Sequence, residues 1–331
     1  MEKFAVLMAQ TLEEDGFRVE IFTDGPACAR RLDRSFGSDL RGIPIRDIGA
    51  RPGRLREFIA STSRYDLFVN NSPIHSFPCF ARRSWLWVHY LPKWVPPHLG
   101  FYRVLANSRH TQGWIRRRWK TPAEVLYGPV DVEHLRPLRK ERIILSAGRL
   151  HSRPVPKNEL EMIRLFAALH RDGLLPGWSY HIAGILDDSD RAWLGRLRDA
   201  AAGAPVRIHL NPPFEKLADL YGRASLLWHG CGALEDPRRR PDRVEHFGAT
   251  VAEAMAAGCL PIAPANGGPA ELVRHAETGF LYHSWEELAR QTVAAARRGA
   301  ASPAMQARAR AAASRFSLRR FRDELRKLLA D

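Results

Sequence analysis

The amino-acid sequence predicts an α/β protein of two tandem, doubly wound domains with parallel sheets. Short apolar strands alternate with amphipathic helices along nearly the whole chain, which is the pattern of βαβ units. The alternation is interrupted once, over 128–140, where Pro129 and Pro137 stand in a stretch without apolar periodicity. At 331 residues the chain can build two cores of ordinary size, one on each side of that linker.

The first series opens with a helix over 3–15, where Phe4, Leu7, Met8 and Leu12 recur at helical spacing and Gly16 stops the run. A strand follows over 18–22, whose RVEIF alternates, then a helix over 54–62 and a buried strand over 66–70. Strands over 85–88 and 103–107, a helix over 109–119 and a strand over 123–126 complete this half. After the linker, strands are expected over 142–147, 179–183, 206–210, 226–228 and 259–263. Helices over 158–171, 190–201, 215–221 and 249–257 separate them, and helices over 285–298, 303–314 and 317–330 end the chain. Asp187, Asp188, Ser189 and Asp190 precede a helix start and read as capping residues rather than metal carboxylates. A doubly wound sheet normally opens with a strand and a turn, whereas this chain starts inside a helix. Either another strand takes the central place, or the chain lacks an upstream strand and turn.

Composition narrows the function classes. A hydrophobic content of 45% with 26% charged residues excludes disordered and collagen-like chains. The net charge of +15 comes from 51 basic against 36 acidic residues, and 44 of the basic residues are arginine. They are spread evenly, with 20 basic and 12 acidic in 1–130 and 31 and 24 beyond. A dedicated nucleic-acid binder concentrates its charge on one element, so no nucleic-acid partner is expected. No stretch approaches 18 consecutive apolar residues, and the N-terminus lacks the apolar core of a signal peptide. A cytoplasmic protein is therefore expected. Cys28, Cys79, Cys231 and Cys259 show no ligand spacing, which suits buried thiols and predicts no metal site. One segment, 82–120, mixes Arg82, Arg83, Arg116, Arg117, Arg118 and Lys120 with Trp85, Trp87, Trp94, Trp114 and Trp119. Such a mixture suits an anionic membrane surface or stacked bases, and equally a core and cleft lined by tryptophan.

The residues best suited to chemistry lie in 245–258, EHFGATVAEAMAAG. Gly248 opens a helix of small residues whose first amides and dipole favour an anion. Glu253 lies one turn inside, and its side chain leans back toward the helix start. A carboxylate there repels phosphate but suits a vicinal diol one linkage away, such as a nucleotide ribose. Glu245, just before the helix, can accept hydrogen bonds from another hydroxylated group. Taken alone, the same carboxylates read as solvated. After the next strand, Asn266-Gly267-Gly268-Pro269 forms a glycine turn that lets backbone approach a ligand, or serves as a plain strand-to-helix turn. The strand over 142–147 runs into Gly148-Arg149-Leu150, with Lys157-Asn158 at the next helix start. Cations at the carboxyl end of a parallel strand are where α/β folds bind anionic ligands.

Together these motifs resemble the retaining glycosyltransferases of family 4, with the GT-B fold. Glu245 and Glu253 reproduce the E-x7-E signature, with Phe247-Gly248 inside it. Gly267-Gly268 with Glu271, then Glu277-Thr278-Gly279-Phe280-Leu281, continue the pattern. Ser146-Ala147-Gly148-Arg149-Leu150 with Lys157-Asn158 matches the donor-diphosphate clamp. Asn107-Ser108-Arg109 before Thr111, and 125–131, match the end of the N-terminal domain. The Glu-His-Phe-Gly spelling is similar to branches that extend lipid-linked or cell-surface glycans.

The resemblance implies two Rossmann-like domains facing a cleft. An acceptor-side domain over 1–130, lacking its first strand, would precede a nucleotide-sugar domain over 131–316, and a helix over 317–331 would pack back on the first. It implies hexose transfer with retention from a UDP- or GDP-sugar, as substrate and without a cofactor or metal, to a glycan or polyprenol-linked glycan, at the inner membrane face. Arg149 and Lys157 would stabilise the leaving diphosphate, with the amides around Gly248, Thr250 and Val251 helping to hold it. Glu253 would bind the ribose, with Phe247, Gly148, Gly267 and Gly268 lining the donor site. Glu245 would contact sugar hydroxyls, His89 would face the donor sugar, and loop backbone over 211–214 would meet the base. The spacing from Arg149 to Lys157 is longer than the family's usual one, with Arg153 between, so either Arg153 or Lys157 is the second cation. The polar stretch 231–244 is an insertion that either covers the donor or is a solvated excursion. A non-catalytic relative that binds a nucleotide or partner is the alternative reading, and a basic nucleic-acid module a further one.

Overall fold

The computed structural model describes residues 2–23, 42–48, 52–151, 157–186, 190–297 and 302–330, without the side chains of 2, 3 and 52–54. The chain divides into two compact units, 1–129 with 321–331, and 130–320. Arg153, Asp187, Asp188, Ser189 and Cys28 lie outside the described residues.

In the first unit, helix α1 (Glu2–Glu14) buries Val6 and Ala9 with Ile43, against Val19, Ile21 and Ile45. The last two of these belong to a parallel pair, β1 (Ile21–Thr23) and β2 (Ile45–Asp47). A three-residue strand offers almost no alternation to read, and β2 is not evident in the sequence. Helix α2 (Pro52–Ser61) leads to a four-stranded parallel sheet, β3 (Leu67–Asn70), β4 (Arg83–Val88), β5 (Arg103–Ala106) and β6 (Glu124–Val125), paired in chain order. Its core joins Leu86, Val88, Val104 and Ala106 to Ile115 and Trp119. The helix expected over 109–119 changes pitch on the way: α3 (Arg109–Trp114) gives way to a π turn, Ile115–Trp119. The wide turn buries Ile115 and Trp119 and leaves Arg116, Arg117 and Arg118 in solvent, so burial of the apolar pair sets the pitch. Phe321 stacks on Trp87 at 5.7 Å, and Arg326 holds Asp15 through Nε and Nη2, which joins the chain's end to this unit.

The second unit is a six-stranded parallel sheet. Its strands are β7 (Glu141–Arg149), β8 (Ser179–Ile185), β9 (Val206–Leu210), β10 (Ala224–Trp228), β11 (Leu260–Pro264) and β12 (Phe280–Tyr282). Between them run α4 (Glu159–Arg171), α5 (Arg191–Ala201), α6 (Phe214–Arg223), α7 (Ala249–Ala256) and the short α8 (Pro269–Leu272). Helices α9 (Trp285–Arg297) and α10 (Pro303–Ala313) follow, and then α11 (Leu318–Ala330), which from Phe321 onward belongs to the first unit. The spatial order is β12-β11-β10-β7-β8-β9, so the chain winds outward from β7 to β9 and then returns to the other side of β7. Strands β7 and β10 are thus neighbours across the point where the winding reverses, and a crevice opens there at their carboxyl ends. Strand β10 is buried along its whole length, as the centre of a sheet covered on both faces must be. Asp190 precedes α5 as expected of a cap, but its side chain makes no capping hydrogen bond.

Candidate functional site

The site grows from that reversal point. Strand β7 delivers Gly148 and Arg149 at its carboxyl end, and β10 delivers His229 and Gly230 just beyond Trp228. A pocket at this point is lined by Ser146, Gly148, Lys157, Glu159, Trp228 and His229. Its floor is a polar network within the sheet. Ser146 Oγ donates to the Trp228 carbonyl at 2.7 Å and lies 2.8 Å from the Tyr180 hydroxyl, while Trp228 Nε1 donates to Thr292 Oγ1 at 2.8 Å. Such a satisfied network fixes the two strands that carry the site.

Lys157 reaches across this crevice. Its ammonium donates to Oε2 of Glu245 at 2.7 Å, and His229 Nε2 lies 3.5 Å from the same oxygen. Burial pushes the lysine pKa down, but the Cys231 sulfur, where it ionises at high pH, and the Glu245 carboxylate more than offset it and the net shift is upward. Glu245 shows the converse. Burial favours its neutral form, yet Lys157 and His229 hold it well below the usual carboxylate range. Burial pushes the Cys231 thiol up to about 12, and it lowers the His229 pKa with Glu245 opposing. The resting site is therefore an ammonium–carboxylate pair against a neutral thiol and a neutral imidazole. Asn158, next to Lys157, is held with positive φ before α4 and donates from Nδ2 to the Gly230 carbonyl at 2.7 Å. That bond ties the start of α4 to the end of β10 and sets where Lys157 begins.

The two glutamates of 245–253 occupy different surroundings. Gly248, at φ 93°, turns the chain into α7, a backbone region open to glycine and costly for other residues. Its carbonyl accepts from the Val251 amide at 2.9 Å, and the Val251 side chain is buried, while Thr250 remains half-exposed in the first turn. Glu253 accepts from the Tyr221 hydroxyl at 3.0 Å, so α6 holds the Glu253 carboxylate from the side. Phe247 is buried. Gly267 and Gly268 have a use beyond a ligand's approach: a Cβ at either would collide with backbone of Glu245, His246 or Phe247, and the Gly268 amide donates to the Glu245 carbonyl at 2.7 Å. The glycine turn therefore buttresses the loop that carries Glu245.

The remaining expected residues fall as follows. Arg149 is exposed at the end of β7. The loop over 211–214 holds Asn211 at φ 47°, its amide donating to the Gly184 carbonyl and its Oδ1 accepting from the Leu186 amide, before α6 begins. His89 belongs to the first unit, at the end of β4, packed on the rings of Trp87 at 4.4 Å and Phe4 at 5.5 Å. Of the five tryptophans in 82–120, Trp85, Trp87 and Trp119 are buried in the first unit's core and only Trp94 is strongly exposed, which dissolves the basic–aromatic stripe as a single surface. Sequence reading missed Tyr221, His229 and Cys231. The signal available for His229 was its place directly after the apolar run Leu226–Trp228, whose carboxyl end had to lie at the site if that strand neighbours β7.

Comparisons with known proteins follow this geometry. The family model described as "Glycosyl transferases group 1" matches residues 132–311. A "GDP-Man:Man(3)GlcNAc(2)-PP-Dol alpha-1,2-mannosyltransferase" of Homo sapiens is 30% identical over 241 residues, covering 66% of this chain and 46% of that protein. The protein of the same name from Dictyostelium discoideum is 29% identical over 207 residues, covering 56% and 38%. The chain thus spans less than half the length of these curated relatives. Among solved structures, a glycosyltransferase from Rickettsia africae aligns at a TM-score of 0.78 with 16% identity, covering 99% of this chain and 93% of that one. Anabaena Alr3699/HepE in complex with UDP and glucose aligns at 0.73 with 20% identity, covering 99% and 95%. At these identities the likeness is one of fold: two Rossmann-like domains of the GT-B type.

Proposed function

Because the chain belongs to the glycosyl transferases group 1 family, we propose that it is a retaining, family 4-type glycosyltransferase that moves a hexose from a nucleotide-diphosphate sugar to a lipid-linked glycan. The observation that carries this reading is the convergence of Arg149, Lys157, Glu245 and the Gly248 helix start at the carboxyl ends of β7 and β10. The relatives' printed names speak for GDP-mannose as the donor and a diphosphate-dolichol glycan as the acceptor. Donor cleavage puts growing negative charge on the departing diphosphate. Arg149 and the Lys157 ammonium would receive that charge, with the first amides of α7 beside them, and each preorganised donor of this kind contributes on the order of 10²–10³ in rate.

Lys157 must then shift from Glu245 toward the phosphate, which frees the Glu245 carboxylate to accept from sugar hydroxyls. Glu253, steadied by Tyr221, would hold the ribose, with Thr250, Val251, Gly148 and Phe247 around the donor. In the retaining reaction the bond from the anomeric carbon to the phosphate oxygen breaks and the acceptor oxygen attaches on the same face. The acceptor proton passes to the departing phosphate, so no carboxylate base is required. Two cations and a helix start supply the charge a divalent ion would otherwise supply, so turnover should persist in a chelator.

The first unit supports a place at a membrane surface, on the side of the nucleotide-sugar pool. Ile74, Phe80, Trp94, Val95 and Phe101 are exposed apolar side chains on its loops, with Phe80 and Phe101 in ring contact at 5.8 Å. Arg82, Arg116, Arg117 and Arg118 are exposed in the same unit, and a unit that carries both basic residues and exposed rings is suited to an anionic bilayer. No described helix is long and apolar enough to cross a membrane.

A thermal-shift screen of GDP-, UDP- and ADP-sugars tests the donor. A ligand that binds only the folded state raises stability by RT ln(1 + [L]/Kd), so the true donor stands out from the panel. A panel without any shift would remove the reading. Sedimentation with anionic and neutral vesicles tests the membrane surface, and equal recovery in both pellets and supernatants of Phe80→Ser and native protein would remove it.

A further inference from the structure

We propose that the cage around the Lys157 ammonium is also a binding site for a thiophilic divalent cation of the zinc type, held by His229 Nε2, Cys231 Sγ and a Glu245 carboxylate oxygen in exchange with the ammonium. Among the described residues these three donor atoms lie within 4.8 Å of one another. Ligand atoms around a tetrahedral zinc stand about 3.3–3.8 Å apart, given Zn–N and Zn–S lengths of about 2.0 and 2.3 Å. Nε2 and Oε2 of Glu245 are already at 3.5 Å, so small side-chain rotations close the set on an ion. Imidazole, thiol and one carboxylate select zinc, whereas magnesium and calcium require oxygen shells.

A second observation points into the same cage. His229 is buried, and its Nε2 has no hydrogen-bonding partner of good geometry. As an ion enters, the ring proton passes to Nδ1, 3.5 Å from Thr250 Oγ1, and the Nε2 lone pair turns to the metal. The cage already holds a cation, the ammonium at 2.7 Å from Oε2, on a side chain that is 26% exposed and has a way out to solvent. The exchange balances. The Cys231 S–H bond breaks as the S–metal bond forms, one proton leaves to solvent, and the lysine departs still protonated. Ammonium with thiol and zinc with thiolate carry the same net charge, so the carboxylate faces +1 before and after. On the transferase reading, on which this consequence rests, the ion withdraws both Lys157 and Glu245 from the donor and is an inhibitor.

Cobalt(II) reports such a site directly. Titrating the full chain with cobalt should raise a thiolate-to-cobalt charge-transfer band with visible bands of tetrahedral intensity, saturating at one equivalent and bleached by zinc. The band should vanish in Cys231→Ala, persist in Cys79→Ala and Cys259→Ala, and form at tenfold or more lower cobalt in Lys157→Met, where no ammonium competes. Absence of the band in both the native chain and Lys157→Met, or its survival in Cys231→Ala, would overturn the site. The readout needs no donor or acceptor, so its failure is separate from failure of the transferase reading, which the thermal-shift panel decides. Zinc that binds at one equivalent without slowing turnover would overturn the inhibitory role.

Discussion

The Lys157 ammonium lies 2.7 Å from Oε2 of Glu245, joining residues 88 positions apart across the reversal point of the second sheet. Each charge is the other's partner in a largely desolvated place, so removing one alone strands the other. Because the side chains remain 26% and 20% exposed, Lys157→Met or Glu245→Gln should each cost about 1–3 kcal/mol, less than a fully buried pair. The double variant should recover most of that loss in Tm. On the proposed reading its transfer rate should not recover, since losing a cation that stabilises the leaving diphosphate costs about 10²–10³. A double variant as unstable as the worse single variant would show that the pair is not a unit.

Gly268→Ala tests the buttress. Its added methyl would meet Phe247 and His246 backbone, which has no rotamer to yield. Overpacking of this kind costs about 1–3 kcal/mol, and the strain falls on the loop that carries Glu245. Lower Tm together with lower kcat is the expected result, and unchanged kinetics would detach the turn from the site.

Tyr221→Phe removes a single hydroxyl, the one that donates to Glu253 at 3.0 Å. The stability change should be about 0.5–1.5 kcal/mol. On the proposed reading, in which Glu253 holds the ribose, the larger effect is expected in KM for the donor, because the carboxylate loses its lateral hold. Glu253→Ala should weaken nucleotide-sugar binding further, and unchanged binding would remove the ribose assignment.

Stability against pH has a marker on the strand next to β7. His181, buried on β8 with His209 Nε2 3.3 Å from its Nδ1, has its pKa pushed from 6.5 down to about 4, first by burial and then by His209 and Arg207. Lys216 adds to that shift and Glu141 opposes it. Between pH 6.5 and 4 the unfolded chain binds a proton that the folded chain does not, so stability falls as pH falls through that window. His181→Gln should flatten the Tm-against-pH curve there. An identical slope in the variant would assign the acid sensitivity elsewhere.

Much of the second unit was readable because its elements follow local periods. The strand over 206–210 and the helices near 158–171 and 249–257 fall within a residue or two of their places. Glu245 and Glu253 were visible for a related reason, since a fixed spacing at a helix start survives in the letters alone. The Lys157–Glu245 and Tyr221–Glu253 contacts were not legible, because they depend on which strands and helices are neighbours in space. The same holds for Gly267 and Gly268: the sequence shows that backbone approaches something there, and only the packing shows that it is the Glu245 loop. The tryptophans of 82–120 misled for the opposite reason, as their sequence proximity does not survive the alternation of β4, which turns its side chains to both faces of a covered sheet.

The most direct test of the central claim is transfer itself. The full chain is incubated with a polyprenol-diphosphate-linked glycan and GDP-mannose, with UDP- and ADP-hexoses in parallel, and the product is read by mass and by the anomeric proton coupling. The account predicts one added hexose whose anomeric configuration matches the donor, formed in the presence of chelator and lost in Lys157→Met. An inverted linkage would contradict retention, and no transfer from any of these donors would contradict the account as a whole.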